Sequence, residues 1–315
     1  MRSFDVSALL EPPFVSRRHA ATDAVAAASL EWAHRQGLVG AGRSAGRLHR
    51  AGAAELAGRA CPQASVAHLR LLTDLFSWLF VVDDVCDDDG LGSTPATLAP
   101  TVAALLDVLD RHGAPTGRGA PGGALGAALA DLCRRVGHQR RPALLLRLVS
   151  QLRAYLLALL WEAANREHRR VPGVAEYRQM RRHTGGVRPS LALTDLAYGR
   201  LPGARRRVDP AVVALDDLAV DLVCWCNDLF SYRKEQGPVA DPHNLVTVLA
   251  AQTGRGEAAA FRLAAGWFND GLADYLVREA ALVAHGGPAL TPYLAARRSW
   301  LRATYDWSAR ADRYA

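Results

Sequence analysis

Residues 227–235 read NDLFSYRKE. Asn227, Ser231 and Glu235 fall at i, i+4 and i+8, and a helix of 3.6 residues per turn carries them along one face with only slight drift. An amide oxygen, a hydroxyl and a carboxylate then stand in line as three hard oxygen donors. That set suits magnesium, which prefers oxygen and completes its shell with water and substrate phosphates. The same stretch holds Lys234, the one lysine among 38 basic residues, a compact charge able to meet a phosphate beside such a metal. Taken alone, the face reads equally well as a solvated polar side of a helix.

The rest of the chain favours helix almost everywhere. It is rich in Ala, Leu and Arg and contains no Ile, a composition whose summed propensity favours helix over strand. Helices are predicted over 23–35, 66–82, 101–111, 124–136, 142–166, 174–182, 189–198, 211–232, 244–252, 257–283 and 291–307. Stretches rich in Gly and Pro at 113–123, 199–210, 236–243 and 285–288 read as loops. No repeat of 20 to 50 residues is present and no loop resembles an interdomain linker. With 315 residues, half of them apolar, the expected architecture is all-α, a single helical domain over 1–315 with a sizeable core.

Composition also narrows the function. The net charge is +7, yet the arginines are scattered, with short clusters such as 205–207 and no interleaved aromatics, so nucleic-acid binding is not expected. A basic surface instead suits an anionic small substrate. Five cysteines (Cys61, Cys86, Cys133, Cys224 and Cys226) form no CxxC pair and no zinc-like Cys/His spacing. Their odd number argues against a disulfide framework, and they are expected to be reduced core residues. The opening MRSFDVSALLEPPF lacks the layout of a secretory signal, and charges interrupt every apolar run. A soluble, cytoplasmic protein without membrane insertion is expected.

A second polar cluster, FVVDDVCDDDG over 80–90, follows an apolar helix. Asp83 and Asp87 are four apart, as are Asp84 and Asp88, so each pair can share a helix face. Like charges at that spacing repel, and at a helix C-terminus they also oppose the macrodipole, so the run is destabilising unless a cation sits there. A calcium loop is excluded: aligning Asp89-Gly90 to an EF-hand puts Val85 at the first ligand position and Ala96 at the twelfth, where carboxylates are required.

The two clusters together resemble class I terpene synthases, Asp83-Asp84-Val85-Cys86-Asp87 their DDxxD motif and residues 227–235 their NDxxSxx(K/R)E motif without a mismatch. Four fixed positions at about one in twenty each arise by chance in on the order of one chain in several hundred, and the paired acidic motif makes chance a poor explanation. The resemblance spans nearly the whole chain, including Trp161-Glu162 and Asn244-Leu245-Val246. It implies a helical bundle of the isoprenoid synthase type around a central cavity.

The resemblance also implies an activity, the Mg²⁺-dependent ionisation and cyclisation of a linear isoprenyl diphosphate. Farnesyl diphosphate is the first expectation and geranylgeranyl diphosphate the second. Asp83, Asp84 and Asp87 make up the first metal motif, with Asp84 expected to pair with Arg313 on closure, and Asn227, Ser231 and Glu235 the second; three ions are implied. Arg181, Thr184 and Gly185 resemble the effector triad, with Thr where the family often has Asp. Arg181, Lys234, Arg313 and Tyr314 are the implied diphosphate contacts, and Phe80, Tyr155 and Trp307 the cavity aromatics, whose faces can stabilise a carbocation. Leu56 or nearby aliphatics stand where several relatives carry another aromatic. A monomer or homodimer is expected. The rival readings are a chain-elongating prenyltransferase, against which stands the absence of a second DDxxD, and a non-catalytic helical ligand-binding protein, against which stand the two complete donor sets.

Overall fold

The computed structural model describes residues 6–40, 42–87, 89–116, 119–198, 204–236, 241–286 and 290–311, and among these it contains α-helices and no β-strand. In chain order the helices are α1 (Thr22–Arg35), α2 (Arg43–Ala51), α3 (Ala53–Ala60), α4 (Val66–Asp87), α5 (Pro95–Asp110), α6 (Gly123–Gly137) and α7 (Pro142–Glu167). There follow α8 (Val174–Thr184), α9 (Val187–Tyr198), the single turn α10 (Ala204–Arg207), α11 (Pro210–Glu235), α12 (Leu245–Thr253), α13 (Glu257–Gly286) and α14 (Thr291–Ser308).

The local signals that set these ends are side-chain caps and prolines. Asp209 accepts a hydrogen bond from Ala211 N at 3.0 Å and Asn244 from Val246 N at 2.9 Å, each satisfying a donor the first turn leaves over. Three differences from the predicted helices matter. The prediction has no helix over 43–60, where α2 and α3 meet at Gly52 with φ +64°, a conformation glycine adopts without strain. Helix α5 starts at Pro95 rather than 101, with the Thr94 hydroxyl accepting from Thr97 N at 3.2 Å; a proline in the first turn lacks only an N–H that has no helical partner. Both α4 and α11 run past their predicted ends, to Asp87 and Glu235, so each polar motif lies within a helix.

Helix α11 packs between α13 and α14, α4 against α1, α3 and α9, and α7 against α5 and α9. By length and composition α7 is apolar enough to cross a membrane, against the expectation that charge interrupts every apolar run. Its place against α5 and α9 and its buried Leu152, Tyr155, Leu156 and Ala163 make it a core helix. All five cysteines are free and buried, as expected.

One buried charge cluster ties α7, α9, α11 and α14 together. Arg297 is 0% exposed. Its Nη1 lies 2.5 Å from Asp195 and its Nε 2.9 Å from Asp216, and its guanidinium sits 3.7 Å above the Tyr293 ring. Arg147 reaches the other oxygen of Asp195 at 2.5 Å. Each carboxylate therefore has a cationic or hydroxyl partner, which is the condition under which buried charge is tolerated.

Candidate active site

The ends of α4, α7, α8, α9, α11 and α14 enclose a cavity of about 970 Å³. Helix α4 supplies Phe80, Asp83 and Asp87, and α11 supplies Asn227, Ser231, Lys234 and Glu235. Tyr155, Glu162 and Arg166 come from α7, Arg181, Thr184 and Gly185 from the α8–α9 break, and Trp307 from α14. Leu56 lies on the wall as well. The structure thus brings together every predicted site residue that it describes except Asp84, which is 7% exposed and stands 3.7 Å from Arg47 rather than on the cavity wall. Arg313 and Tyr314 lie outside the described residues.

The polar end is a lattice of opposed charges. Asp87 accepts from Arg166 at 2.5 Å, and the same guanidinium lies 3.6 Å from Glu162. Although part of its surface opens on the cavity, the Asp87 carboxyl is pushed well above the usual range by desolvation and then by Asp83. Across the cavity Glu235 accepts from Asn244 Nδ2 at 2.7 Å, and burial, followed by the Asp241 and Asp228 charges, pushes its carboxyl up to about 8. Carboxyls in that state are those a cation would return to their charged form.

Among the described residues, no group of three or more His, Cys, Asp or Glu side chains is placed to hold a metal by itself. The donors come instead as two carboxylates on α4 and an amide, a hydroxyl and a carboxylate on α11. This is an incomplete, all-oxygen set, and it fits a divalent cation that takes its remaining ligands from water and phosphate.

Arg181 is held ready beside the second motif. It donates through Nε at 3.0 Å and Nη2 at 2.7 Å to Asp228 Oδ1, and through Nη2 at 3.0 Å to Asn227 Oδ1. Burial opposes its charge, but the Asp228 carboxylate keeps it protonated. Asp228, 1% exposed, also accepts from the Tyr177 hydroxyl and from Leu245 N at 2.8 Å, so one carboxylate pins α8, α11 and α12. The helix break that follows Arg181 has no room for a side chain: a Cβ on Gly185 would lie 2.6 Å from Cys224 Sγ and 3.1 Å from the Arg181 carbonyl. The Cys224 thiol donates to that carbonyl at 3.6 Å. Lys234, exposed, has no carboxylate partner among the described residues.

Two features of this end escaped the sequence reading. Arg166 is one arginine in a chain full of them, and no spacing singles it out. His243 donates through its backbone N–H (3.0 Å) to Asp241 Oδ1, and its Nδ1 lies 2.8 Å from the same oxygen; its Nε2 lies 3.2 Å from Asn165 Nδ2, and its ring packs on Trp161 with centroids 5.0 Å apart. The pair anchors the chain where it returns to the cavity at Asp241. Its only signal was two titratable residues flanking Pro242 beside Asn244.

The opposite end is aromatic. Phe80 and Trp307 stack with centroids 5.8 Å apart and planes at 16°, and Trp307 Nε1 donates to the Ala51 carbonyl at 3.1 Å.

Residues 74–274 match the family model described as terpene synthase family 2, C-terminal metal binding. The chain belongs to this family. It is a class I terpene synthase, a lyase that acts on an isoprenyl diphosphate and uses a divalent metal. The (+)-T-muurolol synthase of Roseiflexus castenholzii, which cyclises (2E,6E)-farnesyl diphosphate, is 33% identical to this terpene synthase over 99% of its chain and 94% of the relative. The 4-epi-cubebol synthase of Streptosporangium roseum is 31% identical over 96% and 90%. The solved structure of wild-type cucumene synthase superposes with a TM-score of 0.81 at 25% identity, covering 95% of this terpene synthase and 99% of that chain.

Proposed function

We propose that this terpene synthase ionises and cyclises farnesyl diphosphate with the help of three Mg²⁺ ions. The observation that carries the reading is the single cavity in which two oxygen-donor motifs and unpaired or exchangeable cations stand at one end and stacked aromatics at the other. The substrate is taken from relatives whose names specify farnesyl diphosphate. Asp83 and Asp87 would hold metal on one side and Asn227, Ser231 and Glu235 on the other, and the bound ions would neutralise the leaving diphosphate.

The chain's own groups then have distinct tasks. Lys234 and Arg181 meet diphosphate oxygens, Arg181 by turning from Asn227 while Asp228 keeps its orientation. Arg313 and Tyr314 close over the same group. The faces of Phe80, Tyr155 and Trp307 attract the carbocation without offering a nucleophile to its carbon skeleton. The protein works in the cytoplasm as a monomer or homodimer, without nucleic acid and without insertion in a membrane. In support, many of its arginines are engaged with its own carboxylates, as Arg297 with Asp195 and Arg182 with Asp221.

Incubation of the pure protein and Mg²⁺ with the C10, C15 and C20 diphosphates separately, followed by gas chromatography with mass detection, tests the substrate. Turnover of the C15 diphosphate at the highest kcat/KM is expected; preference for the C20 diphosphate would make the enzyme a diterpene synthase.

Two variants probe the assigned roles. Phe80→Leu and Trp307→Leu, made separately, should shift product ratios several-fold towards acyclic or early-quenched material, because a cation–π contribution of about 0.5 to 2 kcal/mol redirects competing steps. The parent profile from both would assign the stacked pair to packing. Truncation after Asp312 removes Arg313 and Tyr314 and should slow turnover at least about a hundredfold, the loss of two charge-assisted hydrogen bonds, with a near-parental melting temperature. Parental turnover by the truncated chain would remove the tail from the site.

A further inference from the structure

Tyr155 is 3% exposed and its ring leans on Trp78, with centroids 6.3 Å apart. Trp78 is itself fixed by a hydrogen bond from Nε1 to the Leu125 carbonyl at 2.9 Å. The phenol therefore has a defined place on the wall, yet its hydroxyl has no hydrogen-bond partner among the described residues. Nor is its oxygen sealed by protein, as the unpartnered hydroxyls of Thr184 and Thr304 are, and Tyr155 lines the cavity. Buried hydroxyls are nearly always satisfied, so the partner this one needs must come from within the cavity.

Of the other polar groups on the wall, the Thr184 and Thr304 hydroxyls are sealed by protein. Ser190 donates to the Gly186 carbonyl at 2.7 Å and Cys224 to the Arg181 carbonyl. The Cys86 thiol is a weak donor and a weak acceptor. The Tyr155 phenol offers one O–H donor and an acceptor lone pair.

We infer that the Tyr155 hydroxyl holds a water molecule inside the cavity and that this water captures the cyclised carbocation, so that the enzyme releases a terpene alcohol. The inference rests on the reading of the cavity given under Proposed function. In the capture step a lone pair of the water oxygen forms the new C–O bond, and the empty orbital of the cationic carbon accepts it. The oxonium so formed gives up one proton to the diphosphate released earlier in the same turnover. Prenyl diphosphate and water thus become alcohol and protonated diphosphate. Tyr155 is not consumed: it orients the water through hydrogen bonds and neither gains nor loses a proton.

The test compares the parent and Tyr155→Phe, each with Mg²⁺ and the prenyl diphosphate that the parent turns over, in H₂¹⁶O and in H₂¹⁸O, with extracts read by gas chromatography and mass detection. The parent should release alcohol that carries ¹⁸O from the solvent. In Tyr155→Phe the ring and its contact with Trp78 stay, and the alcohol-to-hydrocarbon ratio should fall roughly three- to tenfold, as the loss of one neutral hydrogen bond gives. The ratio is read within each reaction and does not depend on total turnover. A parent that releases hydrocarbon only, or a variant with the parental ratio at whatever turnover, overturns the inference and leaves the cyclase reading standing. A parent inactive on the C10, C15 and C20 diphosphates alike would overturn both.

Discussion

Glu235→Ala and Asn227→Ala are each expected to reduce turnover at least about a thousandfold while leaving the helical fold intact, the largest effect on activity predicted for this protein. The rate term corresponds to about 4 kcal/mol of lost stabilisation of the leaving diphosphate, within the several kcal/mol that metal charge supplies. The fold should survive for reasons visible at each position. Without the Glu235 carboxylate, Asn244 Nδ2 keeps its bond to the Asp228 carbonyl at 2.8 Å, and a carboxyl that burial already disfavours is removed. Without the Asn227 amide, Arg181 keeps both of its bonds to Asp228. Circular dichroism should match the parent, and the rise in melting temperature that Mg²⁺ plus inorganic diphosphate gives the parent should shrink or vanish. Undiminished product from either variant, or full parental activity in excess chelator, would remove the metal assignment.

The largest loss of stability is expected at Arg297. Arg297→Met keeps much of the side-chain volume but removes the guanidinium shared by Asp195 and Asp216. Asp195 retains Arg147 and Asp216 retains the Tyr293 hydroxyl, so neither carboxylate is wholly abandoned, yet the buried Asp195 and the partly buried Asp216 are left with charge no longer balanced. Breaking such a pair from one side is destabilising by about 3 to 5 kcal/mol, which for a chain of this size lowers the melting temperature on the order of 10 °C. A calorimetric midpoint within about 2 °C of the parent would show that methionine packing compensates for the lost charge. In that case the cluster adds nothing to stability beyond its volume.

The polar motifs and most of the helices that carry them were legible in the sequence, because each signal is local, although the predicted helices stop at 82 and 232, short of Asp83 and Glu235. Asn227, Ser231 and Glu235 depend only on helical spacing, and Ala, Leu and Arg specify helix without long-range help. What failed to show in the sequence depends on partners distant along the chain. Helices α2 and α3 were hidden by the glycines at 42, 46, 52 and 58, whose role becomes apparent only where a backbone turn or a close approach is seen. Pro95 and Pro100 masked the start of α5 in the same way. Arg166 acquires meaning from Asp87, 79 residues away, and Asp228 from Tyr177, 51 residues away. Periodicity reports the face of a helix and is silent on what stands opposite it.

The isolation of Lys234 has a practical consequence. The chain offers a single ε-amine to an acylating reagent, and that amine is exposed where it lines the cavity. Arginines elsewhere are inert to such chemistry, so amine coupling would place a fluorophore or an isotopic acyl tag on one side chain, besides the chain's α-amine, without any introduced cysteine. Shielding of that amine by inorganic diphosphate and Mg²⁺ would follow occupancy of the site without turnover.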